Sequence, residues 1–158
     1  MRRITAVLLL IAFLISCGTS TPPVSTPSAQ GQTFQKIKIV RTERGESKER
    51  EVILQFTEED IFIEGKEPEL NIRYGIPYDK MTKAIYERSQ HPRIAPTLLV
   101  SVFFLFSKSK KHWLTIYYNT PENKEDFVLL RLDKRNYKMV LATMETKTGI
   151  TVERHEER

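Results

Sequence analysis

"FVLLRLDKRNYKMVLATMETKTG", residues 127–149, changes its period halfway along, and that change decides the fold. Residues 127–132 are apolar on both faces for most of their length, as in a strand with little contact with water. Tyr137, Val140, Leu141 and Met144 then fall at i, i+3, i+4 and i+7, the stripe of an amphipathic helix. Asp133 is placed to cap its start, and Gly149 stands where a helix stop belongs. The spacing predicts a single helix near 133–148, directly after a strand.

Upstream of this junction the period is two. "FQKIKIV" (34–40) alternates, with Ile37 and Ile39 on one face and Lys36 and Lys38 on the other. "REVILQF" follows the polar "RTERGESKE", and "TEED" separates it from "IFIEG". "ELNIRYGIP" reads as a strand ending at Pro77, and "HWLTIYYN" places Leu114, Ile116 and Tyr118 on one face. "TPENKED" is a turn with Pro121 and Asn123. "KMTKAIYER" suits a helix through Met81, Ala84 and Ile85, or a strand through Ile85, Thr82 and Tyr86. Counted as a strand, it completes about seven antiparallel strands before the helix. A mainly β domain over 34–150 follows, with 151–158 left as a charged tail.

That order, with "LQFTEEDIFIEG", "IRYGIPYDKMTKAIYE" and "FVLLRLDKRNYKMVLATME" carrying it, resembles a bacterial PH-like or GRAM-like domain. The resemblance implies a PH-like barrel of about seven antiparallel strands in two near-orthogonal sheets, capped at one end by the helix. It also implies a binding role, toward lipid head groups, peptides or proteins. Fold alone does not establish function.

The first residues are of another kind. "MRRITAVLLLIAFLISC" has a basic start, an apolar run from Ile4 to Ile15, and small Ser16 before Cys17. This is the layout of a secretory signal, and the run is well short of the roughly 20 residues that span a bilayer. Leu14-Ile15-Ser16-Cys17 resembles the lipobox of bacterial lipoproteins. The resemblance implies a thioether-linked diacylglyceryl group on Cys17 and cleavage by signal peptidase II between Ser16 and Cys17. It places the protein outside the cytoplasm, lipid-anchored to a bacterial membrane. Gly18 in place of aspartate allows the outer membrane in a diderm cell. Residues 17–33, rich in Ser, Thr and Pro, read as a tether.

The whole chain has a formal charge of +5, and loss of Arg2 and Arg3 with residues 1–16 leaves +3. The charges are interleaved, as in "RTERGESKERE", which describes a solvated surface rather than the basic stripe of a nucleic-acid binder. Catalytic and metal sites are not legible. The six glycines form no phosphate loop, and His91, His112 and His155 share no ligand spacing. Adjacent carboxylates in "TEED" suit a turn. No catalytic residue, metal or cofactor is expected.

Binding is expected at "RIAPTLLVSVFFLFSKSKKHW" (93–113). An apolar run there is flanked by Arg93 and by Lys108, Lys110, Lys111 and His112. Arg93, Phe103, Phe104, Lys108, Lys110, Lys111 and Trp113 could contact an anionic phospholipid surface or an envelope protein. The plainer reading is that 94–106 packs on the domain as an internal strand or helix, with "SKSKKH" as its solvated turn. A lipid-anchored binding or scaffold protein is thus expected, with a small envelope enzyme or a docking subunit of an envelope complex as alternatives.

Overall fold

The computed structural model describes residues 31–43, 46–90, 92 and 109–156. The expected signal with Ser16 and Cys17, most of the expected tether, and Arg93, Phe103, Phe104 and Lys108 lie outside the described residues. The described elements are β1 (Gln32–Glu43), β2 (Glu46–Phe56), β3 (Asp60–Gly65), β4 (Arg73–Pro77), β5 (Met81–Ser89), β6 (Lys111–Asn119), β7 (Glu125–Leu132), α1 (Tyr137–Thr148) and β8 (Val152–Glu156). "KMTKAIYER" is therefore strand. β1 begins two residues before the expected domain start at 34.

The strands form one sheet in the order β4-β3-β2-β1-β7-β6-β5-β8. Every pairing is antiparallel except β5 with β8, which runs parallel from Ala84↔Val152 to Arg88↔Glu156. The sheet is open, with β4 and β8 at its edges. The expected barrel of about seven antiparallel strands is corrected on this point: the strands number eight among the described residues and form an open sheet. After α1 the chain turns back and takes the edge of β5. The segment set apart as a charged tail supplies the eighth strand. Only Val152 of β8 is buried, so its sequence carries no alternation to betray it. Backbone pairing holds such a strand, not a face of apolar side chains.

The main core lies on one face of the curved sheet. Ile37, Ile39, Leu54, Phe56, Ile61 and Ile63 from one half meet Ala84, Tyr86, Leu114, Ile116 and Leu130 from the other, with Val140, Leu141 and Met144 of α1 among them. Each large apolar side chain enclosed there contributes about 1.5–3 kcal/mol. Phe34 and Ile37 both reach this core although they are three residues apart. A bulge makes this possible: the β1–β2 register shifts between Phe34 and Ile37, and Lys36 takes a left-handed φ of 60°.

The helix starts later than the sequence predicts. The Asp133 carboxylate accepts from the Arg135 N–H at 2.8 Å, and its carbonyl accepts from the Asn136 and Tyr137 N–H groups at 3.2 and 3.0 Å. Asp133 thus builds a turn ahead of the helix, and Asn136 occupies the cap position. Asn136 spends its side-chain N–H on the Gln35 carbonyl at 2.8 Å, tying the helix start to β1. Gly149 ends the helix as expected, at φ 71°, its N–H donating to the Glu145 carbonyl.

Candidate functional site: a cationic cleft

The strand ends nearest α1 bring basic side chains together. Lys36 and Lys38 come from β1, Lys110 from just before β6, Lys111 from its first residue, Arg131 from β7, and Lys134 from the turn before α1. With Glu51, Asp133, His112, Leu132 and Ser109 they line a cleft of about 560 Å³. Six cations and two carboxylates line it, and a third carboxylate, Glu49, pairs with three of the cations. The bulge contributes here too, because it sits at Lys36.

Glu49 holds three of the cations in place. It pairs with Lys38 at 3.4 Å, with Lys111 at 3.8 Å, and most closely with Arg131. Burial raises the pKa of its carboxyl. The Arg131 hydrogen bond and the charges of Arg131, Lys111 and Lys38 outweigh that and hold it below the usual carboxylate value. Lys111 is pushed the other way: burial lowers its pKa, and Arg131 and Lys38 add to this against the opposing pull of Glu49. Lys66 pairs with Glu51 at 3.0 Å on the same side.

His112 closes one wall and is turned to a structural task. Its Nδ1 lies 2.7 Å from the Tyr86 hydroxyl, and its ring stacks on Tyr137 with centroids 4.0 Å apart. Burial, then the Arg88 charge, lower its pKa below 6.5. Burial pushes the Tyr86 hydroxyl up to about 12, so it stays protonated beside the ring. Among the described residues no group of three or more His, Cys, Asp and Glu is arranged to hold a metal. The cleft presents fixed positive charge without a paired acid and base. Its chemistry is that of holding an anion.

Of the contact residues expected from the sequence, Lys110 and Lys111 line the cleft. Trp113 does not reach the surface. The residue is 1% exposed, grouped with Val40 and Leu129 away from the main core, and its Nε1 donates to the Ser89 carbonyl at 3.3 Å. Lys36, Lys38, Arg131 and Lys134 were not singled out. One signal was available: Arg131 is a lone charge inside the apolar "FVLLRL". The gathering of β1, β6 and β7 is a matter of tertiary pairing, which spacing along the chain does not reveal.

No protein-family model matches the chain, and no curated protein does. Solved structures do. The structure of the Spt16D Pob3N heterodimer is similar with a TM-score of 0.51 and 10% identity, over 82% of this chain. The chain spans 57% of the matched chain there. The hSac2 domain from human phosphoinositide phosphatase Sac2 is similar with a TM-score of 0.54 and 11% identity, over 82% of this chain and 79% of that one. At such identities the likeness concerns fold alone. The chain is a mainly β protein, an eight-stranded open sheet with one helix among the described residues, whose structural neighbours are PH-like domains.

Proposed function

We propose that this is a membrane-tethered binding module whose cationic cleft meets the anionic head groups of the bilayer that holds Cys17. The observation that carries the reading is the position of the cleft beside the entry of the tether. β1 begins at Gln32, and Lys36, four residues on, already lines the cleft. An acyl anchor on Cys17 would therefore deliver these cations to the lipid surface. Residues 17–31 at about 3.1 Å each allow a reach of roughly 45 Å when extended. Each lysine near an anionic surface adds about 1 kcal/mol.

Flotation with vesicles tests the reading. A form lacking residues 1–16 and carrying Cys17→Ser has no acyl anchor, so only the domain contributes. It should float with vesicles of equal parts phosphatidylglycerol and phosphatidylcholine, and not with phosphatidylcholine alone. Lys36→Gln, Lys110→Gln and Lys134→Gln together remove three cleft charges and leave Lys38, Lys111 and Arg131 on Glu49. The loss is about 3 kcal/mol, or roughly 100-fold in partitioning. Raised salt should weaken binding in the same direction. If the parent form stays at the bottom of the gradient with anionic vesicles, the reading fails.

A further inference from the structure

Lys38, Lys111 and Arg131 converge on one carboxylate from three different strands. Lys111 Nζ lies 3.8 Å from one Glu49 oxygen, and Lys38 Nζ lies 3.4 Å from the other, which Arg131 Nη1 engages more closely still. All three line the cleft and Glu49 does not. Each therefore has the carboxylate on one side and the cavity on the other. Donors gathered in this way around a carboxylate are also spaced to hold a phosphate. The three cations thus already hold an oxyanion, supplied by β2 of the same chain. The pairing is partly withdrawn from water, since the Lys111 and Glu49 side chains are 19% and 18% exposed. Lys111 has a further neighbour in Trp113, whose ring centroid is 5.6 Å from Nζ. The other two carboxylates of the cleft are engaged elsewhere, Glu51 by Lys66 and Asp133 by the Arg135 N–H.

We propose that Glu49 is a resident competitor, setting a threshold at the cleft that a dianionic phosphate monoester passes and a monoanionic phosphodiester does not. This rests on the anion-holding reading of the cleft and names the anion. An incoming anion must draw the three cations off Glu49, leaving a half-buried carboxylate with less compensation. That cost is common to every ligand, so the ligand's own charge decides whether it is met. A phosphodiester brings one negative charge, as Glu49 does, without being held in place by the chain. Its exchange with Glu49 gains nothing. A phosphate monoester brings about 1.5 to 2 negative charges near neutral pH and three strong acceptor oxygens, so it takes the cations with charge to spare. The competition persists across neutral pH, because the same cations hold Glu49 below the usual carboxylate range. Lys36 and Lys134 add an attraction that any anionic surface shares.

Calorimetric titration of the full chain at pH 7.5 and low salt tests the threshold with two probes. Inorganic phosphate supplies the dianion and dimethyl phosphate the monoanionic diester. Wild type should bind phosphate weakly and dimethyl phosphate not measurably. Glu49→Gln removes the competitor at equal side-chain size and should tighten phosphate binding by about ten-fold or more, bringing dimethyl phosphate into range as well. Unchanged or weakened phosphate binding in a folded Glu49→Gln chain overturns the proposal, since Glu49 would then only support the cations. Should that variant not fold, the wild type decides. The carbon-13 carboxyl resonance of Glu49 should move as phosphate saturates the cleft; a resonance that stays still, or a wild type that ignores phosphate, overturns the displacement. Vesicles identify the source of the phosphate. Preference for phosphatidic acid over phosphatidylglycerol at matched surface potential assigns it to a lipid. Equal flotation on both, with phosphate bound in solution, assigns it to a soluble ester, and either result upholds the threshold. The titrations contain no lipid, so failure of the threshold and failure of membrane binding are told apart.

Discussion

His112 shows how one side chain can be assigned two tasks by its neighbours. It lies at the cleft wall, yet Tyr86 and Tyr137 take its ring into the packing of α1 against β5 and β6. Its pKa in the fold is lowered, first by burial. The unfolded chain therefore takes up this proton near pH 6.5, while the folded chain needs a lower pH. The stabilisation is complete above pH 6.5 and is lost as pH falls from there through the lowered value. His112→Phe leaves the buried Tyr86 hydroxyl without its partner and should cost about 1–2 kcal/mol at pH 7.5. Urea denaturation of both forms at pH 7.5 and pH 5 checks this. The gap between them should narrow at the lower pH; a gap independent of pH would show that the ring acts by shape alone. Lys36 illustrates a different economy. Its left-handed backbone carries a strain of roughly 1–2 kcal/mol for a side chain with a Cβ, and that same bulge sets a cation at the cleft.

At the scale of elements, the joint between α1 and β8 rests on Glu145. Its carboxylate accepts from the Val152 N–H at 3.1 Å and from the Arg154 guanidinium at 3.0 and 2.9 Å. Gly149, left-handed, turns the chain so that these groups meet. Glu145→Ala removes an acceptor from the first residue of β8 and should lower stability by about 1–2 kcal/mol. Hydrogen exchange should locate the loss in 152–156, with β1 to β3 unaffected; a uniform loss across the sheet would contradict the local role. This element was the least legible. Strands with a buried face announce themselves, as "FQKIKIV" and "HWLTIYYN" do, because alternation is the signature of a one-sided core. β8 buries Val152 alone, and Glu153, Arg154, His155 and Glu156 read as a solvated tail. The helix was legible through its stripe and its glycine. Its start was not, because Asp133 forms a turn whose carboxylate bond mimics a cap in sequence.

For the molecule as a whole, β1 is the strand on which the proposed tether and the cleft would meet: it begins at Gln32 and carries Lys36 and Lys38 of the cleft. The lysines of "SKSKK" were visible in sequence as a basic flank. Their companions Lys38 and Arg131 were not, since they become neighbours only when β1 pairs with β7. The anchoring role proposed for Cys17 has its own test. Metabolic labelling with a clickable fatty-acid analogue should mark the wild-type protein, and Cys17→Ala should abolish the label and release the protein from the membrane fraction. Labelling that persists in Cys17→Ala would remove the anchor from the proposal.

The parallel strand β8 also sets an order of events. The edge of β5 has its backbone donors and acceptors open until residues 152–156 have joined the fold, because nothing earlier in the described sheet pairs there. An incomplete chain, or one still emerging, carries a bare strand edge able to recruit another copy. β8 then covers that edge of β5 and itself becomes the outer strand on that side of the sheet. The alternating charges of "ERHE" extend that protection to the finished sheet, by making its outermost strand a poor template for further growth.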